Sequence, residues 1–111
     1  MKKRVLGYLV ALGLAMVTGA AFAATATTGT VYKLTITASN GLAQVFTKDS
    51  AGANVKPCSG QDKVYAYFYV TEPGGSAMHR TLLSAKLSGQ KVWLSSEWSD
   101  GKCWVRQAQI R

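Results

Sequence analysis

The chain has 111 residues, a formal net charge of +8 and 48% hydrophobic residues, with one histidine and two cysteines. Apart from any targeting segment, this length suits one domain rather than two. One histidine and two cysteines cannot supply the four Cys or His ligands of a structural zinc site, so that class of metalloprotein is excluded.

The first 23 residues have the layout of a secretory signal peptide. Three basic residues at positions 2–4 precede an uncharged run over 5–17 and then small residues up to Ala23. This run is shorter than the ~20 apolar residues that a membrane span needs. We therefore expect cleavage after Ala23 or Ala26, export to the periplasm or the medium, and no stable membrane span afterwards. An uncleaved anchor is the alternative. Cleavage after Ala23 removes three of the 13 basic residues and none of the 5 acidic ones, so the charge falls from +8 to +5.

Two alternating runs predict a first hairpin. Thr30–Ser39 and Leu42–Thr47 alternate apolar and polar residues, as half-buried strands do. They are joined by Asn40-Gly41, a pair typical of two-residue hairpin turns. Such a turn would pair Ile36 with Val45. The residues between the signal peptide and Thr30 are small and polar, and we expect a frayed end there.

Lys63–Thr71 is the run most typical of a strand. Tyr65, Tyr67 and Tyr69 alternate with aliphatic residues and Phe68. We place the tyrosines outside, because phenol hydroxyls need hydrogen-bond partners. Val55–Cys58 is a possible short extended piece, which would bring the number of strands from five to six.

A helix and a second hairpin are predicted next. Apolar residues at spacings of three and four predict a helix over about 77–88. Ser76 is suited to capping its start, and Gly89 is suited to the left-handed conformation that ends a helix. Lys91–Ser95 and Lys102–Ile110 alternate again and form the last hairpin.

The helix-to-strand junction carries a resemblance to a known family. Leu82-Leu83-Ser84-Ala85 and Leu87-Ser88-Gly89-Gln90-Lys91-Val92, followed by a cysteine, resemble the B subunits of subtilase cytotoxin and of pertussis-like toxins, and related small exported bacterial proteins. The resemblance is best over Ser76–Ile110. It implies a mainly β fold, a small OB-like Greek-key barrel of five to six strands with one helix before the last hairpin. Periodicity alone would equally allow an open sheet with a helix packed across it.

The same resemblance implies a function. The toxin B subunits are non-enzymatic binding modules that recognise cell-surface glycans as ring-shaped pentamers and carry a catalytic partner chain. The family's sugar contacts lie near the start of the first strand, where this chain has Thr27-Thr28-Gly29-Thr30 instead of a tyrosine-serine motif. The family's sugar-contacting residues are therefore not transferred to this chain.

Cys58 and Cys103 are the only two cysteines. Export brings an oxidising compartment, and a domain of this size gains from a covalent link. We therefore expect a disulfide between them. Two free thiols or a pair of metal ligands are the alternatives.

Catalytic groups are scarce in this sequence. His79 is the only imidazole, and its position near the start of the helix is typical of a solvated surface histidine. The five acidic residues all lie in or beside predicted loops, where turn formation explains most of them. We therefore predict that the protein is not an enzyme and needs no cofactor; a small hydrolase is the least favoured class.

Aromatic residues are the candidate ligand contacts. Trp93 should point outward because it alternates with Val92 and Leu94, and Trp98 falls in the predicted turn. We expect Trp98 and Trp93 to stack on a ligand and Trp104 to enter the core. Tryptophans that only cover the ends of the barrel are the alternative.

The predicted strand face formed by Tyr65, Tyr67 and Tyr69 is expected to pack between subunits or under a loop. The basic residues beyond the signal peptide are scattered, and we do not predict nucleic-acid binding. A basic surface outside the cytoplasm suits cell-surface or acidic glycans, although scattered lysines also serve solubility alone. A small periplasmic or secreted interaction or inhibitor protein with no sugar site is the alternative function.

Overall fold

A computed structural model describes residues 24–111 and shows a mainly β fold with one helix. The predicted signal peptide lies outside these described residues. The elements, in chain order, are β1 (Thr25–Ile36), β2 (Leu42–Lys48), β3 (Tyr65–Tyr69), α1 (Gly75–Ser88), β4 (Lys91–Ser99) and β5 (Lys102–Ile110). The expected mainly β fold, with a helix before the last hairpin, is confirmed.

The five strands close into a barrel in the order β1-β2-β3-β5-β4, which excludes the open sheet that periodicity also allowed. The strands pair antiparallel except β3 and β5, which are parallel. Within the described residues, Val55–Cys58 does not form the optional sixth strand, and an isolated bridge joins Asn54 to Lys48. No helix of the described part is long and apolar enough to cross a membrane.

Strand β1 closes the barrel because it is long enough to pair with both β2 and β4. It also begins earlier in the chain than the sequence suggested. Its first half, from Thr25 to Thr30, pairs with β4, and its second half pairs with β2. The expected frayed end at these residues is therefore wrong. Gly29 lies at the crossing between the two partners, where a Cβ would come within 2.8 Å of the Lys48 carbonyl oxygen. Only glycine allows β1 and β2 to approach this closely.

A β-bulge at Tyr32 changes which side chains of β1 face the core. Val31 pairs with Thr47 and Lys33 pairs with Phe46, so Tyr32 is the extra residue. An extra residue reverses the alternation of faces. Val31 is buried before the bulge, Leu34 packs against the core after it, and Tyr32 lies outside.

The loop after β1 has five residues, 37–41, rather than two. The Thr37 amide donates to the Leu42 carbonyl, and the Gly41 amide donates to the Thr37 carbonyl, both at 2.8 Å. In this register Val45 pairs with Leu34, so the expected pairing of Val45 with Ile36 is wrong by two residues. Asn40 keeps a negative φ and accepts a hydrogen bond from the Leu42 amide; of the predicted turn pair, only Gly41 has a positive φ, 72°.

Helix α1 begins two residues earlier than expected and without a side-chain cap. Gly74 occupies the N-cap position in the left-handed conformation, while the Ser76 hydroxyl accepts a hydrogen bond from Arg80 instead of a backbone amide. Ser76 is therefore not the cap. At the other end Gly89 has φ 72° and donates to the Ala85 carbonyl, which confirms the predicted helix stop.

The buried stripe of α1 is narrower than its leucines suggested. Leu82 and Ala85 are fully buried, and Met78 packs against the core. Leu83 and Leu87 remain 38% and 76% exposed. The core that α1 covers consists of small and aliphatic side chains and one phenylalanine: Val31, Ala43, Val45, Ala66, Phe68, Val92, Leu94 and Val105.

The predicted disulfide between Cys58 and Cys103 is confirmed, which excludes free thiols and a metal pair at these positions. Both cysteines are buried in the core, and their Cα atoms lie 5.8 Å apart. The bond ties the loop before β3 to the start of β5, across a sequence separation of 45 residues. A loop of that size corresponds to about 4 kcal/mol in an entropic model of the unfolded chain.

Candidate functional site

Six aromatic side chains on the outer face of β1, β2, β3 and β5 contact one another in series, and we call them the aromatic ladder. Neighbouring ring centroids lie 5.3–6.0 Å apart, within the range of favourable aromatic pairs. Five of the six are half-buried and Tyr32 is 37% exposed. In order along the ladder, the residues are Tyr32, Phe46, Tyr65, Tyr67, Trp104 and Tyr69.

The middle of the ladder follows from the alternation of β3. Ala66 and Phe68 face the core, so Tyr65, Tyr67 and Tyr69 face outward, as predicted. Hydrogen bonding to the Tyr67 side chain is the main cause that raises the pKa of Tyr65 above its ordinary value, with smaller contributions from desolvation and charge repulsion. Tyr65 therefore presents a neutral phenol at physiological pH.

The two ends of the ladder depend on β-bulges. The bulge in β1 turns Tyr32 outward, where its ring meets that of Phe46 on β2. A second bulge lies between β4 and β5, where Ser95 pairs with Gln107 but Ser96 pairs with Val105, leaving Arg106 as the extra residue.

The second bulge places Trp104 on the outer face. Cys103 and Val105 face the core before the bulge, and Ala108 packs against the core after it. Trp104 and Ala108 therefore do not share a face, and the expected burial of Trp104 in the core is wrong. Its indole N–H donates to the Ser99 carbonyl at 2.9 Å, which fixes the ring between Tyr67 and Tyr69.

Three ammonium groups lie over rings of the ladder. Lys48 Nζ is 4.6 Å from the centroid of Tyr32, and Lys33 Nζ is 5.0 Å from that of Phe46. Lys102 Nζ is 6.0 Å from the centroid of Tyr67. These distances allow cation–π attraction. The part of the ladder from Tyr32 to Tyr67 is therefore positively charged.

The other end of the ladder borders a cleft of about 280 Å³. Trp104 and Tyr69 stack at its side with an interplanar angle of 28°. Its floor is formed by Phe68, Met78 and Val105, where the gap between β3 and β5 meets the start of α1. The cleft therefore combines an apolar floor with an aromatic wall.

Acidic groups gather at this end. Glu72 lines the cleft, and Asp100 lines a neighbouring hollow of about 190 Å³ on the side of Ser99. Arg106 borders both spaces, but its guanidinium forms an ion pair with Glu97. The ladder therefore runs from a basic end at Tyr32 to an end where carboxylates outnumber cations.

The tryptophans predicted to meet a ligand lie elsewhere. Trp98 belongs to β4, pairs with Cys103 and packs against the core, so its expected position in a turn is wrong. Trp93 does point outward, as predicted, and the guanidinium of Arg111 lies 5.4 Å from its ring. Neither ring contacts the ladder among the aromatic pairs of residues 24–111.

Sequence reasoning identified the three tyrosines of the ladder but missed Tyr32, Phe46 and Trp104 as surface partners. Phe46 lies between the buried Val45 and Thr47, so alternation alone indicates that it points outward. Its position beside Tyr32 depends on the shifted register and the bulge of the first hairpin. Nothing in the local alternation marks either bulge. His79 lies half-buried on α1, and no group of three or more His, Cys, Asp or Glu residues in 24–111 is placed to hold a metal ion.

Comparison of the chain with protein-family models, with curated proteins and with solved structures finds no match. The resemblance to toxin B subunits therefore stays a prediction.

Proposed function

We propose that the protein is a non-enzymatic, exported binding module that holds a glycan on the aromatic ladder. The observation that carries this proposal is the continuous row of six contacting rings on one outer face. Partly exposed aromatic rings that form one contiguous surface are typical of an interaction site. Aromatic rings present flat apolar faces, and sugars have apolar ring faces that stack on them.

The strand order supports an OB-like Greek-key barrel as the finer description of the fold. Five strands close in the order β1-β2-β3-β5-β4, and α1 lies between β3 and β4. OB-like barrels bind oligosaccharides and oligonucleotides on the face of their second and third strands. The ladder crosses those same two strands. The disulfide supports export, because such bonds persist in oxidising compartments.

A glycan array tests the proposal with two matched variants. Tyr67→Ala removes a central ring of the ladder, which contacts both Tyr65 and Trp104. Loss of one stacking ring typically costs about 1–3 kcal/mol of binding, by analogy with bases stacked on aromatic side chains. We expect glycan affinity to fall about tenfold or more. Trp93→Ala removes an outward ring that lies off the ladder, and it should bind as the wild type does.

Two results would contradict the proposal. One is a wild-type protein that binds no glycan. The other is equal loss of binding in Trp93→Ala and Tyr67→Ala, because the ladder would then have no special role. Thermal unfolding of each variant shows whether lost binding reflects lost folding.

An interaction or inhibitor protein without a sugar site is the second candidate. The observation in its favour is the exposed pair Leu83 and Leu87, four residues apart on one side of α1. Such a pair can pack against another chain, including a second copy in the pentamer that the toxin resemblance implies. The mass of the protein in solution tests this assembly, and Leu87→Asp should lower that mass if the helix forms the contact.

A further inference from the structure

The three lysines over the ladder limit what can bind there. Lys33, Lys48 and Lys102 occupy ring faces that a stacked sugar would need. Among residues 24–111, none of the three forms an ion pair with a carboxylate. A neutral ligand would have to displace these ammonium groups without offering them a partner. An anionic ligand offers each ammonium a stronger partner than a ring face, and it exposes the ring as the lysine moves.

The acidic residues nearest the ladder lie in a hydrogen-bonded loop or beside the cleft. Asp49 follows Lys48 in the chain, but one of its carboxylate oxygens accepts hydrogen bonds from the Ala51 and Ala53 amides at 2.9 and 3.0 Å. Glu72 lines the cleft at the other end, and Asp100, two residues before Lys102 in the chain, lines the neighbouring hollow. Positive charge is therefore greatest beside Tyr32 and Phe46, where Lys33 and Lys48 favour an anion, and an anion is repelled from the cleft.

The shape of the ladder favours a long ligand over a single terminal sugar. The rings from Tyr32 to Tyr67 follow one another in three steps of 5.3–6.0 Å across three strands of the barrel. They lie on an open face, and the cleft beside Trp104 lies beyond Tyr67. Several weak stacking contacts along an open row add up only when one ligand covers them together.

We infer, on the basis of the proposed glycan-binding function, that the ladder binds an internal segment of a linear acidic polysaccharide. The acid groups of consecutive sugars pair with Lys33, Lys48 and Lys102. As the lysines move from the rings to the acid groups, the sugar rings stack on the aromatic faces that become free between Tyr32 and Tyr67. This surface takes a charged polymer along its length.

Titration calorimetry of the disulfide-bonded protein tests this inference with matched oligosaccharides. The probes are oligogalacturonides and heparin-derived oligosaccharides, each from disaccharide to octasaccharide. Their uncharged counterparts are methyl-esterified oligogalacturonides and heparin oligosaccharides that have been desulfated, N-acetylated and carboxyl-reduced. Affinity should rise with length and then level off once the basic part of the ladder is covered. Uncharged counterparts should bind about tenfold more weakly or worse, as expected for the loss of a few surface ion pairs.

Two triple variants locate the charge. The ladder triple variant carries Lys33→Gln, Lys48→Gln and Lys102→Gln. It should bind the charged octasaccharide about tenfold more weakly or worse, and the affinity that remains should depend less on salt concentration. A control with the same loss of charge combines substitutions on α1 and at the start of β4, which carry no ladder residue: Arg80→Gln, Lys86→Gln and Lys91→Gln. The control should retain wild-type affinity.

Each of the following results would refute a specific part of the inference or of the proposed function. Equal binding of charged and uncharged counterparts would refute the inference and leave the proposed function standing. A sialylated trisaccharide that binds as tightly as the best octasaccharide would refute the preference for an internal polymer segment. Single-stranded DNA of matched charge that binds more tightly, with the same loss in the ladder triple variant, would assign the ladder to nucleic acid. Failure of every oligosaccharide to bind would refute both proposals.

Discussion

Gly75 fixes the distance between the start of α1 and the end of β3, and its replacement by alanine tests that packing. A Cβ built on Gly75 would lie 1.9 Å from the Tyr69 carbonyl oxygen and 2.9 Å from Val70 Cα. Ordinary contacts begin at 3.4 Å, so helix and strand would have to separate by about 1.5 Å. Both neighbours are backbone atoms and cannot rotate away.

The expected loss follows from these distances. Overpacking costs about 1–3 kcal/mol, and the upper end applies here because the backbone itself must move. Alanine regains at most about 1 kcal/mol through its helix propensity. The free energy of unfolding of Gly75→Ala should therefore fall by about 2 kcal/mol. For a domain of this size that lowers Tm by about 8–16 °C.

Urea unfolding followed by circular dichroism, with the disulfide intact, measures this change. The midpoint should fall while the m-value stays constant, which shows that stability has changed rather than the extent of unfolding. Ser76→Ala is the matched control on the same turn and should cost less than about 0.5 kcal/mol, because its hydroxyl bonds only to the exposed Arg80. A Gly75→Ala protein as stable as the wild type would refute the close approach of α1 to β3.

Three further changes have defined outcomes. Cys103→Ser should cost about 2–5 kcal/mol, measured by urea unfolding, and titration of unfolded, unreduced wild type should find no free thiol. Gly89→Val should lower the free energy of unfolding by more than about 1 kcal/mol, because a β-branched residue resists φ 72°; an unchanged Tm would contradict this. Trp98→Ala should cost about 2 kcal/mol or more through lost core contacts, whereas Trp93→Ala on the outer face should cost less than about 1 kcal/mol. Equal Tm values for these two variants would show that Trp98 is not a core residue.

The features that the sequence predicted correctly depend on short-range rules. Gly89 ends the helix because a left-handed residue is needed at that one position. The outward tyrosines of β3 follow from uninterrupted alternation over five residues. The disulfide follows from having only two cysteines in a small domain. None of these predictions requires knowledge of which strands are neighbours.

The features that the sequence missed depend on pairing between distant strands. Tyr32 and Arg106 each insert one extra residue, and the alternation beyond each of them changes face. Trp104 was therefore assigned to the core together with Ala108. Ala108 lies beyond the bulge at Arg106, and the two residues face opposite sides of the sheet. Thr25–Thr30 looked like a frayed end because its partner, β4, lies more than sixty positions along the chain. Single-sequence periodicity contains no information on either effect.

The narrow interior of the barrel explains why the ladder forms on the outside. Two of its inward positions, Ala43 and Ala66, are fully buried alanines. A space this small accommodates Phe68 but not six more rings. The aromatic residues therefore shield one another on the surface, where cross-strand pairs such as Phe46 and Tyr65 also stabilise the sheet by about 0.2–1 kcal/mol each. A ladder substitution must then lower stability slightly as well as binding, and a ligand role is established only when binding falls at temperatures where the variant remains folded.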